Sequence, residues 1–124
     1  MTPTDSELEI LQILWTRGPS SVREINDELN LKREVGYTTT LKIMQIMHEK
    51  GILNRNTDNR SHLYESNIKE TNTKSNLLNN FLRSTFNGSV KDLVLHALGE
   101  GKSSTEELDE IRQMIESIKN KNQK

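Results

Sequence analysis

Apolar residues recur every three or four positions in the first part of the chain. They then begin to alternate with polar ones, which marks the passage from helices to a hairpin. In "TPTDSELEILQILWTRG", Leu8, Leu11, Leu14 and Trp15 form a helical stripe, and Thr4 and Glu7 have the spacing of a capping box with Thr4 as N-cap. Gly18 and Pro19 end this first helix. "SSVREINDEL" repeats the grammar, with Ser21 and Glu24 as a second capping box and Val22, Ile25 and Leu29 facing inward. After the polar connector "NLKREVG", a third helix is predicted over roughly 38–50, with Leu41, Met44 and Met47 inward and Gly51 as a left-handed C-terminal cap. "ILNRN" and "SHLYE" alternate as short strands around the turn residues of "TDNR". Three helices and a two-stranded hairpin make a winged helix-turn-helix domain over residues 1–68.

Beyond residue 68 the chain returns to helical spacing. "TNTKSNLLNNFLRSTF" carries Leu77, Leu78, Phe81, Leu82 and Phe86, and "SVKDLVLHAL" carries Val90, Leu93, Val94, Ala97 and Leu98. "SSTEELDEIRQMIESIKNK" opens with a capping-box pair, Ser104 and Glu107, and its Leu108, Ile111, Ile115 and Ile118 step as the a and d positions of a helix–helix seam. Gly88, Gly99 and Gly101 separate these helices. Amphipathic helices in an extended arm cannot cover their own apolar faces, so 69–124 reads as a helical dimerisation region. Leu77, Phe81, Leu93, Val94, Leu108, Ile111, Ile115 and Ile118 are its interface candidates. An intramolecular core is the alternative use of the same stripe. The fold class is therefore mainly α with a small β-hairpin, a winged helix followed by helices.

Composition favours the shared interface. The chain has 124 residues with 31% apolar content, low for a self-sufficient globule. There is no cysteine, which removes disulfides, thiolate metal sites and cysteine nucleophiles. No apolar run approaches the ~20 residues needed to cross a bilayer. The start, "MTPTDSELEI", has neither the basic nor the apolar region of a signal peptide. The expectation is a cytoplasmic protein without membrane insertion.

The net charge of −1 conceals an uneven distribution. Residues 1–31 hold two basic and six acidic side chains, whereas 32–62 hold six basic and three acidic. The positive excess thus falls on the third helix and the hairpin. That helix opens with Thr38, Thr39 and Thr40, which are poor helix formers because branching at Cβ restricts χ1. Their placement has a reason if the helix meets DNA. A helix N-terminus attracts phosphate, threonine hydroxyls donate to phosphate, and threonine methyls contact thymine.

On this reading Thr38, Thr39 and Lys42 face the major groove, Gln45 reads a base edge, and Tyr37 bonds a phosphate at the helix entrance. Thr40 packs inward. Simple capping by Thr38 is the bland alternative. Arg55, Asn59 and Arg60 are phosphate candidates on the hairpin, against a merely solvated turn. Trp15 is read as a core residue rather than as part of a ligand pocket.

Catalytic and metal chemistry find no support. His48, His62 and His96 stand alone, without a second ligand-type residue at a recognisable spacing. The serines sit at caps, and there is no glycine-rich phosphate loop. No cofactor is expected and the protein is not read as an enzyme.

"LEILQILWTRGPSSVREINDEL" followed by "YTTTLKIMQIMHEKGIL" and then Arg55, Arg60, His62 and Tyr64 resembles the penicillinase repressor family. This group includes the β-lactamase and methicillin-resistance repressors and a copper-responsive branch. The run Tyr37-Thr38-Thr39, Met44, Lys50-Gly51, Leu53 and Arg55 is the most specific part of the match. "LVLHALGEGKSSTEELDEIRQMI" resembles the last two dimerisation helices in layout.

The resemblance implies a homodimeric repressor that occludes a promoter by binding double-stranded DNA at an inverted repeat, commonly of TACA/TGTA-like half-sites. Its recognition helix would correspond to residues 38–45. In β-lactam-responsive members a membrane sensor with a cytoplasmic zinc-protease domain leads to cleavage in the dimerisation region. The scissile bond of the best-known members is Asn-Phe, and the matching place here is His96-Ala97. The copper branch carries a cysteine-rich C-terminal motif that this chain lacks. Two alternatives stay open: derepression by a small ligand or partner protein, and a winged helix used as a protein-interaction module.

Overall fold

The computed structural model describes residues 2–58, 60 and 62–123. α1 spans Asp5–Arg17 and starts where a reciprocal capping box starts it: Glu7 N–H donates to Thr4 Oγ1 at 3.2 Å, and Thr4 N–H donates to Glu7 Oε1 at 2.9 Å. α2, Val22–Asn30, is opened by the Ser21 and Glu24 pair in the same way. α3, Tyr37–Glu49, ends in a Schellman motif. Gly51, at φ 82°, donates to His48 O at 3.0 Å, and Ile52 N–H donates to Met47 O at 3.0 Å. That turn feeds Ile52 and Leu53 into the core and launches the hairpin.

β1, Leu53–Asn56, pairs antiparallel with β2, Leu63–Ser66, in the register Leu53 to Ser66 and Arg55 to Tyr64. Ser20 adds a third rung: its N–H donates to Tyr64 O at 2.9 Å and its carbonyl accepts from Tyr64 N–H at 2.8 Å. This ties the α1–α2 turn to the hairpin. Trp15 reinforces the tie from α1, since its indole N–H donates to Ser66 Oγ at 3.0 Å and Ile68 O at 3.2 Å. The arrangement is a winged helix-turn-helix.

The core is built from Ile10, Leu11 and Leu14 of α1, Val22, Ile25 and Leu29 of α2, Met44 and Met47 of α3, and Ile52, Leu53 and Tyr64. Each fully buried aliphatic side chain stabilises the fold by about 1.5–3 kcal/mol. The inward stripe of α1 is rotated from the one the spacing suggests. Glu7 and Ile10 are buried, while Leu8 and Trp15 are partly covered.

The physical reason for the rotation is the Glu7 carboxylate. It accepts the Thr4 N–H on one oxygen and the Lys50 ammonium on the other, at 2.8 Å, so a charged residue is held under the end of α3. Burial pushes the Glu7 carboxyl pKa up, but the Lys50 and Thr4 hydrogen bonds outweigh that and hold it below the ordinary 4.5. A carboxyl depressed in the folded state contributes stability that is present above pH 4.5 and is lost as pH falls through its folded value. Glu7→Gln should therefore cost about 1 kcal/mol at neutral pH. In urea titrations at a series of pH values, the difference from the native chain should shrink as acid protonates Glu7. A difference that stays constant with pH would refute this account.

The chain divides into two compact units, Met1–Leu77 and Leu78–Lys124. α4, Glu70–Phe86, begins in the first unit and ends in the second. The second also holds α5, Val90–Gly99, capped by Ser89, and α6, Thr105–Asn122, capped by Ser104. At Ser104 the hydroxyl accepts the Glu107 N–H at 3.1 Å, one half of the reciprocal box. Neither α5 nor α6 has a buried residue. Among the described residues, no helix is long and apolar enough to cross a membrane.

Candidate nucleic-acid interface

α3 begins differently from its neighbours. Its N-cap is Gly36, in extended conformation and without a capping side chain, and no acidic residue occupies its first turn. Thr38 is therefore not the cap. The helix starts one residue earlier, and Thr38 stands inside the first turn with its side chain exposed. α1 and α2, by contrast, both close their N-termini with capping boxes and carry acidic residues there. An open N-terminus with no carboxylate in its own first turn leaves the dipole and the first N–H groups directed at solvent, where an anion is favoured.

What holds α3 at this angle is a polar clamp inside the turn between α2 and α3. Asn26, buried on α2, donates from Nδ2 to Thr40 Oγ1 at 2.8 Å and to Val35 O at 3.1 Å. Asn30 donates to the same carbonyl at 2.8 Å and accepts the Val35 N–H at 3.1 Å. Thr40 is wholly buried, as its inward placement in the sequence reading requires. Neither Asn26 nor Asn30 stands out among the candidate residues that the sequence offers. The available signal was Asn26 itself, a polar residue next to Ile25 in the inward arc of an otherwise regular amphipathic helix.

With Thr40, Met44 and Met47 buried, the opposite face of α3 is fixed. Thr38, Thr39, Lys42 and Gln45 are exposed on it, and Thr38, Lys42 and Gln45 follow one another a turn apart. Tyr37 stands at the helix entrance, 42% exposed, with the Arg23 guanidinium 5.3 Å above its ring. On the hairpin, Arg55 is exposed and shares the sheet face of Leu53 and Tyr64, the face turned to the helices. Arg60 is exposed and lines a groove with Tyr37, Arg23 and His62. The structure thus brings Tyr37 and Arg60 to one concavity, with the outward residues of α3 following from it along the helix. Asn59 lies outside the described residues.

The candidate interface residues of the C-terminal helices are solvent-facing to different degrees. Phe81, Val94, Leu108, Ile115 and Ile118 are exposed, whereas Leu77, Leu93 and Ile111 are partly covered. Within the second unit Phe86 stacks edge-on between Phe81, at 5.6 Å, and His96, at 5.3 Å. His96 and Ala97 lie in the last turns of α5 with exposed side chains, and His96 Nδ1 is 3.0 Å from Asp92 O. Among the described residues no three His, Cys, Asp or Glu side chains cluster as metal ligands.

A family model described as "Penicillinase repressor" matches residues 3–117. The chain is 28% identical to the penicillinase repressor of Bacillus licheniformis over 118 residues, covering 95% of this chain and 92% of that one. It is 25% identical to the methicillin resistance regulatory protein MecI of Mammaliicoccus sciuri over 112 residues, 90% of this chain and 91% of that one. A shorter match, 31% identical over 61 residues, reaches the transcriptional regulator BlaI of Mycobacterium tuberculosis, covering 48% of this chain and 44% of that protein.

Proposed function

Because the chain belongs to the penicillinase repressor family, a family of transcriptional repressors rather than enzymes, we propose that it is a dimeric, sequence-specific DNA-binding repressor acting in the cytoplasm by promoter occlusion. The observation that carries this reading is the outward face of α3. It has an open, acid-free N-terminus and exposed Thr38, Thr39, Lys42 and Gln45, set on a core that fixes the opposite face. In the proposed complex this face enters the major groove, and Arg55 and Arg60 hold the backbone from the hairpin. Residues 1–68 serve as the DNA-binding domain and residues 69–124 as the dimerisation region. Two copies related by a two-fold axis then read an inverted repeat.

Relief of repression in this proposal follows from separating the two halves by proteolysis near His96-Ala97, in response to a cell-wall antibiotic signal passed on by a membrane sensor protease. The bond lies in α5, where the His96 and Ala97 side chains are exposed in the single chain, and cleavage needs that helix locally open.

The test is fluorescence anisotropy on a labelled duplex from the region upstream of the protein's own gene, beside a scrambled duplex, at two salt concentrations. The native duplex should bind tighter by ~10³ or more. Both affinities should weaken steeply with salt, because phosphate contacts release counterions. Absence of binding to either duplex at low salt would remove the DNA reading and favour a protein-interaction module.

A further inference from the structure

We propose that Arg23 is a sequence-independent contact to the DNA backbone, held ready for a phosphate by the ring of Tyr37. The inference rests on the DNA reading above and adds a binding residue on a different helix, with a positioning role for Tyr37.

Four observations lead to it. First, the Arg23 guanidinium lies over the Tyr37 ring at 5.3 Å. A guanidinium over a ring face keeps N–H donors free for a second partner. Second, the carboxylates of its own helix are mostly engaged elsewhere. Glu24 and Glu28 are both taken by Arg17, at 2.9 and 3.1 Å, and Glu24 also accepts the Ser21 N–H. Third, Asp27 is four residues on and lines the same groove, yet no Arg23–Asp27 ion pair forms. A basic residue preceding its acidic partner by four is the weaker helical order. Arg23 is thus exposed and, among the described residues, without an ion-pair partner. Fourth, the groove of about 480 Å³ beside it is shared by three elements: Arg23 from α2, Tyr37 from α3, and Arg60 and His62 from the hairpin, with Glu24, taken by Arg17, and Asp27 also on its wall.

A cation preset by an aromatic face, opposite a second arginine and next to the entrance of the recognition helix, suits a polyanion's phosphates. In helix-turn-helix proteins the helix before the recognition helix crosses the backbone, which is where Arg23 stands. A guanidinium fork takes two phosphate oxygens at once. This assigns the Tyr37 ring, rather than its hydroxyl, the principal role at this position.

The experiment measures anisotropy titrations of the full chain on the upstream duplex and the scrambled duplex across a salt series. Arg23→Ala should lower affinity for both duplexes by a similar factor and reduce the slope of log K against log salt by about 0.9 per bound copy. Tyr37→Phe should keep affinity within about twofold, because the ring stays. Tyr37→Leu should weaken binding in the native background and add nothing to Arg23→Ala. All variants should retain the native melting temperature, since both side chains are exposed. An unchanged salt slope in Arg23→Ala, or a Tyr37→Phe loss equal to that of Tyr37→Leu, overturns the assignment while the DNA reading survives. Failure of the unmutated chain to bind either duplex overturns both, and the two failures are distinguished by that control.

Discussion

Replacing Thr39 and Lys42 together by alanine should reduce affinity for the operator by about 30- to 700-fold, the equivalent of roughly 2–4 kcal/mol shared between two contacts. The fold should be indifferent to the change. Both side chains are exposed on α3, and the core on its other face rests on Thr40, Met44 and Met47. Surface substitutions away from caps and clamps stay within about 0.5 kcal/mol. The two single variants separate the roles. If Lys42 meets phosphate, its loss should be similar on operator and scrambled duplex, with a salt slope lower by about 0.9 per bound copy. Thr39, if its methyl meets thymine, should instead weaken the operator alone and leave the slope untouched. Circular dichroism establishes that the double variant is folded, and anisotropy reads the affinity. Undiminished operator affinity in a folded double variant would mean that this face of α3 does not enter the groove.

Much of the placement of that face was legible in the chain, because it depends on short-range chemistry. Thr4 with Glu7 and Ser21 with Glu24 announce their helices through spacing alone, and both boxes form. Gly51 announces the end of α3, where a left-handed residue is needed, and the hairpin follows from two alternating runs around turn residues. The start of α3 was less legible. Gly36 enters the helix with no side-chain hydrogen bond, so nothing at that position advertises a cap, and the threonines that follow compete for the part.

Long-range pairings were not legible at all. Glu7 reads as a capping residue and is one, but its second bond, to Lys50, spans 43 positions of sequence. The Ser20 rung on Tyr64 has no strand pattern to precede it, since Ser20 sits in a Gly-Pro-Ser-Ser turn. The Asn26 and Asn30 clamp needs the connector folded back before its partners, Val35 and Thr40, come within reach. Arg23 belongs to the same group. Its stack on Tyr37 exists only once the turn between α2 and α3 is closed.

The exposed C-terminal stripes carry the other large expected effect. Ile115→Asp together with Ile118→Asp should convert the chain from dimer to monomer and lower operator affinity by about 10²–10⁴, the benefit of linking two half-site contacts. In the single chain these side chains are 47% and 57% exposed, so a charge there meets water and costs the isolated fold little. Across an apolar seam between two copies, the same charges would be desolvated and unpaired, which an interface does not survive. The two uses of the stripe are separated by that contrast. An intramolecular core would unfold on receiving the charges, whereas a dimer seam releases two folded monomers. Analytical ultracentrifugation reads the mass, and a duplex holding one half-site reads whether the winged helix still works. Its affinity should be unchanged in the variant, because the core of Ile10, Ile25, Met44 and Leu53 lies wholly within the first unit. A variant that remains dimeric would show that the α6 stripe is not the seam. Loss of half-site affinity would show that the charged helices disturb the DNA-binding unit itself. A monomer with native half-site binding and weakened operator binding would support the proposal that cutting this region lifts repression. Each half keeps its chemistry, and only the linkage between the halves is lost.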